Sequence, residues 1–379
     1  MKEQELKNTL NKINISEEMQ NRILEKTKNY GKDNAYMKFN KKIILVTIAA
    51  TFILCITVFA TVINWSNGFL SGLNISKNQM NTLQNSQQEL INMPFVSDTH
   101  NGITVSTAQC LFDGNTIRMS FYVEGYELDN TIEPKLNSIN ILIDDKPVNN
   151  YFWEFFNGID NTDKNNPVMA DGTPVKEDKE GGYIPNYRIA DGKMEIDVEL
   201  TPFDENGKAL TENELKNKKI TVNMEDFGNT KGMWTLEWNL NGLEKGKELL
   251  INKELGNSGA KVISADIYAS SAVIKYNFPK TEVKDYAYDE NNNLVYTTDY
   301  AQPPIFIGVR LNDGTLYTDL QNGGSSGYED INTDEFVARI NFSRIIEVDK
   351  IQDLLFLKDI NNDAENITLD DCYIIDVDI

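Results

Sequence analysis

The sequence predicts a mainly β protein: two tandem β-sandwich domains on a single N-terminal transmembrane helix. Three observations carry this. One run, Ile43 to Ile63, holds 21 residues without a charged side chain. Beyond it, apolar and polar residues alternate with period two in many short segments. Gly-, Asn- and Asp-rich turn clusters separate those segments at the intervals of a sandwich rather than an α/β fold.

Residues 1–42 come first, with ten Lys/Arg against six Asp/Glu, a net charge of +4. Leu6, Leu10 and Ile13 repeat at i, i+4, i+7, and Met19 and Ile23 repeat at i, i+4 behind Ser16-Glu17-Glu18. Ser16 suits a helix N-cap, and the two glutamates complement the positive end of the helix. Two such short amphipathic helices are marginal alone in water, and 42 residues bury little core. They need something to lie on, either a membrane surface or a partner. Leu6, Leu10, Ile13, Met19 and Ile23 are therefore the candidate partner-binding residues.

Residues 43–63 read as the transmembrane helix, since at ~1.5 Å per residue they match a hydrocarbon core of ~30 Å. Lys38, Lys41 and Lys42 precede the run, and no Lys or Arg follows until Lys77. That asymmetry places the N-terminus in the cytoplasm and the C-terminal domains outside the cell. A cleaved signal peptide would have a shorter leader and a small-residue exit, neither of which is present. A buried core helix would rarely lack every charge over this length.

Residues 64–96, rich in Asn, Gln and Ser, read as a stalk. Domain 1 is expected over 97–246. It opens on a hairpin, Gly102–Phe112 and Thr116–Val123, joined at Asp113-Gly114-Asn115. Further strands are expected at 139–143, 193–200, 220–224 and 233–240, with a Gly-, Pro- and Asp-rich loop over 157–187. Domain 2, 247–379, opens on an echo: Gly259-Ala-Lys-Val262 matches Gly102-Ile-Thr-Val105 at an offset of 157, which points to duplication. Short strands follow at 294–298, 304–310, 314–319, 335–342, 351–357 and 372–378.

The chain beyond the basic tail carries 26 basic and 52 acidic groups, a balance that argues against direct nucleic-acid binding. Its basic tail suits the anionic inner leaflet, so 43–63 and its flank meet the lipid bilayer. Cys55 lies in the apolar run, and Cys110 and Cys372 fall in different predicted domains, so no disulfide is expected. His100 is the single histidine, beside the turn-like Asn101-Gly102. One His and three Cys make neither a zinc cluster nor a nucleophile-base pair, and no phosphate-cradling motif occurs. No catalytic residue, cofactor or metal is assigned, and the chain is not expected to be an enzyme. Asp359-Ile-Asn361-Asn362-Asp363, with Glu365 and Asp370, imitates calcium-loop spacing. Ala364 occupies the place where that loop needs Gly, so an acidic turn is the plainer reading. Gly323–Gly327 reads as a flexible loop, and Trp234 with Trp238 as one core-facing strand side.

The anchor, the Asn101-Gly102-Ile-Thr-Val hairpin with Leu111-Phe-Asp113-Gly114-Asn115, and Gly232-Met-Trp234-Thr-Leu-Glu-Trp238 together resemble a family. Its members are single-pass proteins of low-GC Gram-positive bacteria, with an extracellular domain of unknown function followed by an immunoglobulin-like repeat. The Ser16-Glu-Glu-Met-Gln-Asn-Arg-Ile23 helix is similar to the family's leader. The resemblance implies immunoglobulin-like sandwiches and an anti-sigma role, a sigma factor being held by residues 1–42. It carries over no catalytic residue. A surface binding or structural protein, with the tail as a plain anchor, stays open beside it, and the extracellular ligand is unnamed.

Overall fold

Period-two segments pair as the alternation requires. The computed structural model describes Ser66 to Val377 apart from residues 74–90, 93, 128–131, 162, 164–165, 190–191, 241–245, 289–293, 331 and 360–366. The predicted tail and span, and most of the acidic 359–370 segment, lie outside the described residues. Among these, no helix is long and apolar enough to cross a membrane. Trp65–Ile379 forms one compact unit.

Its first half contains helix α1 (Asn67–Gly72) and strands β1 (Ile91–Asn92), β2 (Ser97–His100), β3 (Ile103–Phe112) and β4 (Ile117–Glu124). There follow β5 (Leu136–Ile143), β6 (Lys146–Pro147), β7 (Asn149–Phe155), β8 (Ile159–Asp160) and β9 (Val168–Met169). β10 (Met194–Phe203), helix α2 (Glu212–Leu215), β11 (Lys219–Phe227) and β12 (Thr230–Asn239) complete it. One sheet runs β1-β3-β4-β10-β7, with β2 also on β3, and a second runs β12-β11-β5-β6. Inward residues of both, Phe121, Met194 and Ile196 from one and Val222, Trp234 and Leu236 from the other, share a single core. Trp234 is fully buried; its Nε1 donates to the Ile103 carbonyl at 3.0 Å, and its ring meets Phe227 edge-on.

The second half holds β13 (Lys247–Glu254), β14 (Lys261–Ile267), β15 (Ser271–Asn277), β16 (Glu282–Tyr288), β17 (Leu294–Tyr300) and β18 (Phe306–Leu311). Then come β19 (Leu316–Tyr317), β20 (Gln321–Tyr328), β21 (Glu335–Phe342), β22 (Ile351–Leu357) and β23 (Cys372–Asp376). Its sheets run β13-β14-β15-β21-β20 and β19-β18-β22-β23. A second core, including Tyr276, Phe306, Phe342 and Phe356, fills the space between them.

The two halves repeat one topology. β3, β4, β10 and β7 stand in the first sheet as β14, β15, β21 and β20 stand in the second half's. The register repeats too, down to the bulge. Thr107↔Phe121 and Gln109↔Ser120 flank it in the first hairpin, and Val262↔Tyr276 and Ser264↔Lys275 in the second. Phe112↔Ile117 then corresponds to Ile267↔Ala272, an offset of 155 rather than the 157 seen in the sequence. A two-residue shift keeps every side chain on the same face of a strand, so the apolar pattern matches at either offset.

Three segments depart from expectation. Within the stretch read as a stalk, residues 66–73 fold onto the first half, and Phe69 and Leu73 are buried. The Gly323–Gly327 segment is strand rather than free loop: it lies in β20, paired antiparallel with β21. The 157–187 excursion carries the short β8–β9 pair, with turns closed by aspartates such as Asp178.

Candidate functional site

The halves meet through equivalent hairpin turns. Asp113, in the β3–β4 turn, is fully buried. Its Oδ1 accepts from the Asn115 and Thr116 amides at 3.1 and 2.9 Å. Its Oδ2 accepts from the Ser270 amide and hydroxyl, in the β14–β15 turn, and from the Ser271 hydroxyl, at the start of β15, at 3.2, 2.7 and 2.9 Å. Thr201 and Asn341 follow the equivalent residues Leu200 and Ile340 of β10 and β21, and they bond to each other at 3.3 Å. Contact between equivalent positions is what a two-fold-like arrangement of the halves produces. Arg118 completes the junction: its Nη2 lies 2.7 Å from the Phe342 carbonyl and 2.8 Å from Glu199 Oε2. Asn341 Nδ2 donates to the other oxygen of Glu199 at 2.5 Å.

Beside this junction, a cleft of about 680 Å³ opens between the edge strands β7 and β20. Phe152 stands at its edge, 63% exposed, with Asn157 and Glu154 from the first half facing Asp319, Asn322 and Gly323 from the second. Gly68, Phe69, Ser71, Gly72 and Leu73, of the segment 66–73, form a further wall, beside β10 residues that include Asp197 and Glu199.

That segment is held by a buried polar set. The Ser66 amide donates to Gln109 Oε1 at 2.6 Å, and its hydroxyl bonds Ser120 Oγ at 2.9 Å and caps Phe69 N at 3.3 Å. Ser71 Oγ donates to the Ile159 carbonyl and accepts from the Asn161 amide. Beneath lies the outward face of β10, whose inward residues Met194, Ile196, Val198 and Leu200 belong to the core. Alternation therefore turns Glu195, Asp197 and Glu199 outward. A solvated row would be ordinary, but here the 66–73 segment covers it. Glu195 has no exposed surface, and neither of its carboxylate oxygens makes an aligned hydrogen bond, although Ser66 and the Gly68 and Phe69 amides lie near. Asp197 keeps partial exposure toward the cleft, but its Oδ1 is shut off from solvent without a partner. A Cβ on Gly68 would stand 2.0 Å from Asp197 Oδ2, so the segment sits directly on the carboxyl.

Burial pushes the Glu195 carboxyl up to about 7. Burial, then the charges of Glu195 and Glu154, hold Asp197 well above the usual carboxylate range. An ionised carboxylate without solvent or a cation is costly, and two adjacent ones hold a proton between them.

No protein-family model and no curated protein matches the chain. One solved structure, described as "The crystal structure of the conserved domain protein from Bacillus anthracis", is 14% identical with a TM-score of 0.38. The match covers 77% of this chain and 91% of that one. A likeness at that level carries neither family nor function.

Leu6, Leu10, Ile13, Met19 and Ile23 lie outside the described residues. His100 is exposed at the end of β2, its Nε2 3.2 Å from Asp98 Oδ2 and its ring against Trp234. Cys110 and Cys372 are buried free thiols. Among the described residues no group of three or more His, Cys, Asp or Glu is placed to hold a metal ion. Sequence reading missed Glu195 and Asp197. Their signal was faint: a Glu-x-Asp-x-Glu row on one strand face, indistinguishable from a solvated edge until the covering segment is placed.

Proposed function

We propose that this protein is a membrane-anchored signalling regulator, an anti-sigma factor whose tail holds a sigma factor and whose outer part senses the state of the envelope. In this reading residues 43–63 span the cell membrane once, the tail is cytoplasmic, and two immunoglobulin-like sandwiches lie outside. The observation that supports it is the position of residues 66–73. They begin three residues after the apolar run ends, and they form a wall of the cleft between the two halves. Anything that changes the cleft acts on the segment leading into the span. A plain anchor would have no need to pack its first outer residues against the sensing surface.

The rival reading, an envelope surface protein with no signalling role, would use the same cleft but leave the tail idle. Topology is tested by adding protease to wall-stripped intact cells. Epitopes beyond about residue 70 should be lost while a tag before Lys42 stays protected. Protection of the second half instead would reverse the orientation and remove the regulator reading.

A further inference from the structure

We propose that Glu195 and Asp197 form a proton-binding site that governs whether the 66–73 segment stays docked on the first half. The geometry carries this. Two carboxyls two residues apart on one strand face lie under a segment that brings no charge of its own (Ser-Asn-Gly-Phe-Leu-Ser-Gly-Leu). Glu195 is wholly enclosed, with the Ser66 hydroxyl and the Gly68 and Phe69 amides near but aligned with neither of its oxygens, and Asp197 has its Oδ1 unpaired and its Oδ2 pressed beneath Gly68. A structure that needed two ionised carboxylates there would place a cation beside them. None stands in the row.

Among the described residues, the charged groups facing the pair leave it uncompensated. On β7, Glu154 is the register partner of Asp197 and adds negative charge. On β4, Ser120 opposes Asp197, Tyr122 opposes Glu195, and Arg118 opposes Glu199. Arg118 is already bonded to Glu199 and to the Phe342 carbonyl. Lys193 is paired with Glu124, and Asp160 of β8 lies in the hairpin that packs on α1. A proton is then the cation that fits the pair.

Docking and protonation are then linked, with a definite sign. A carboxyl in water titrates near ~4, and docking raises both groups above that value. Docking is therefore fully favoured below about pH 4 and is lost progressively as pH rises from there to the docked values, about 7 for Glu195. Acid holds the segment down, and neutral to alkaline conditions release it. The step from docking to signal rests on the regulator reading above; the docking equilibrium does not.

The test is amide hydrogen exchange on the full chain in detergent micelles, following residues 69–73 from pH 5.5 to 8.5 after correction for intrinsic exchange. Amides of the core strand β11 serve as the control for global opening. Protection of 69–73 in the wild type should fall as pH rises from 5.5, by up to ~10-fold per pH unit for each linked proton, with the Glu195 share levelling off above about 7, while β11 stays constant. Asp197→Asn and Glu195→Gln, which keep shape but remove a charge, should each flatten that slope and keep the segment protected at pH 8.5. If one variant fails to fold, the other and the wild-type slope still decide. Protection that varies less than twofold over this range, or variants that retain the wild-type slope, would overturn the proton site. Because sigma-factor binding is not the readout, that failure would leave the regulator reading standing.

Discussion

Gly68 shows how much of this protein's design rests on single atoms. It has no need of an unusual backbone angle; what it supplies is absence, since any Cβ would collide with Asp197 Oδ2. Gly68→Ala should therefore cost about 1–3 kcal/mol in the docking of 66–73. Faster protease cleavage within that segment, with thermal melting of the cores nearly unchanged, is the expected result. Asp113 is the opposite case, a side chain whose every acceptor position is used. Asp113→Ala would strand buried donors on both turns and should cost on the order of 3 kcal/mol. Because Oδ2 reaches Ser270 and Ser271, the loss should show as separate melting of the two halves. Melting as one unit would mean that the turn contact contributes little.

At the level of elements, legibility in the sequence followed exposure. The β3–β4 hairpin and β10, β11 and β12 turn one apolar face into the core and read correctly, because Ile117, Met119, Phe121 and Val123 fall at every second position. β7 escaped notice since its edge position leaves Phe152 exposed and Trp153 half-buried, which blurs the alternation. β20 (QNGGSSGY) carries no strand composition at all, and pairing with β21 alone makes it a strand. There Gly324, at φ +130°, would place a Cβ 2.1 Å from the Arg339 carbonyl oxygen. Gly324→Ala should pull β20 from β21 locally, raising amide exchange in 321–328 while β22 stays protected. Unchanged exchange would show that the edge pairing does not depend on this close approach. The repeat was visible as a pattern but two residues out of register, since a period of two cannot separate one even shift from the next. The candidate site was the least legible part. A buried carboxyl pair and a solvated one have the same sequence, and only the covering 66–73 segment, too short to announce itself as a helix, distinguishes them.

Over the whole molecule, two copies of one β architecture joined through equivalent turns make a cleft, and the chain that would enter the membrane forms part of its wall. The regulator reading adds a cytoplasmic tail whose apolar stripe needs a partner. Its central claim is that this stripe holds a sigma factor, and the direct test is the double substitution Leu10→Asp with Ile23→Asp in the full-length protein. Two charges placed in a buried interface should weaken sigma-factor binding by about 2–3 orders of magnitude, several kcal/mol. The anchor is untouched, so envelope levels of the protein should stay normal. Co-purification of the sigma factor from membranes, read together with transcription of its regulon, is the measurement. Loss of the sigma factor and constitutive transcription are the predicted result; unchanged co-purification and unchanged transcription, with the variant present at wild-type level, would contradict it.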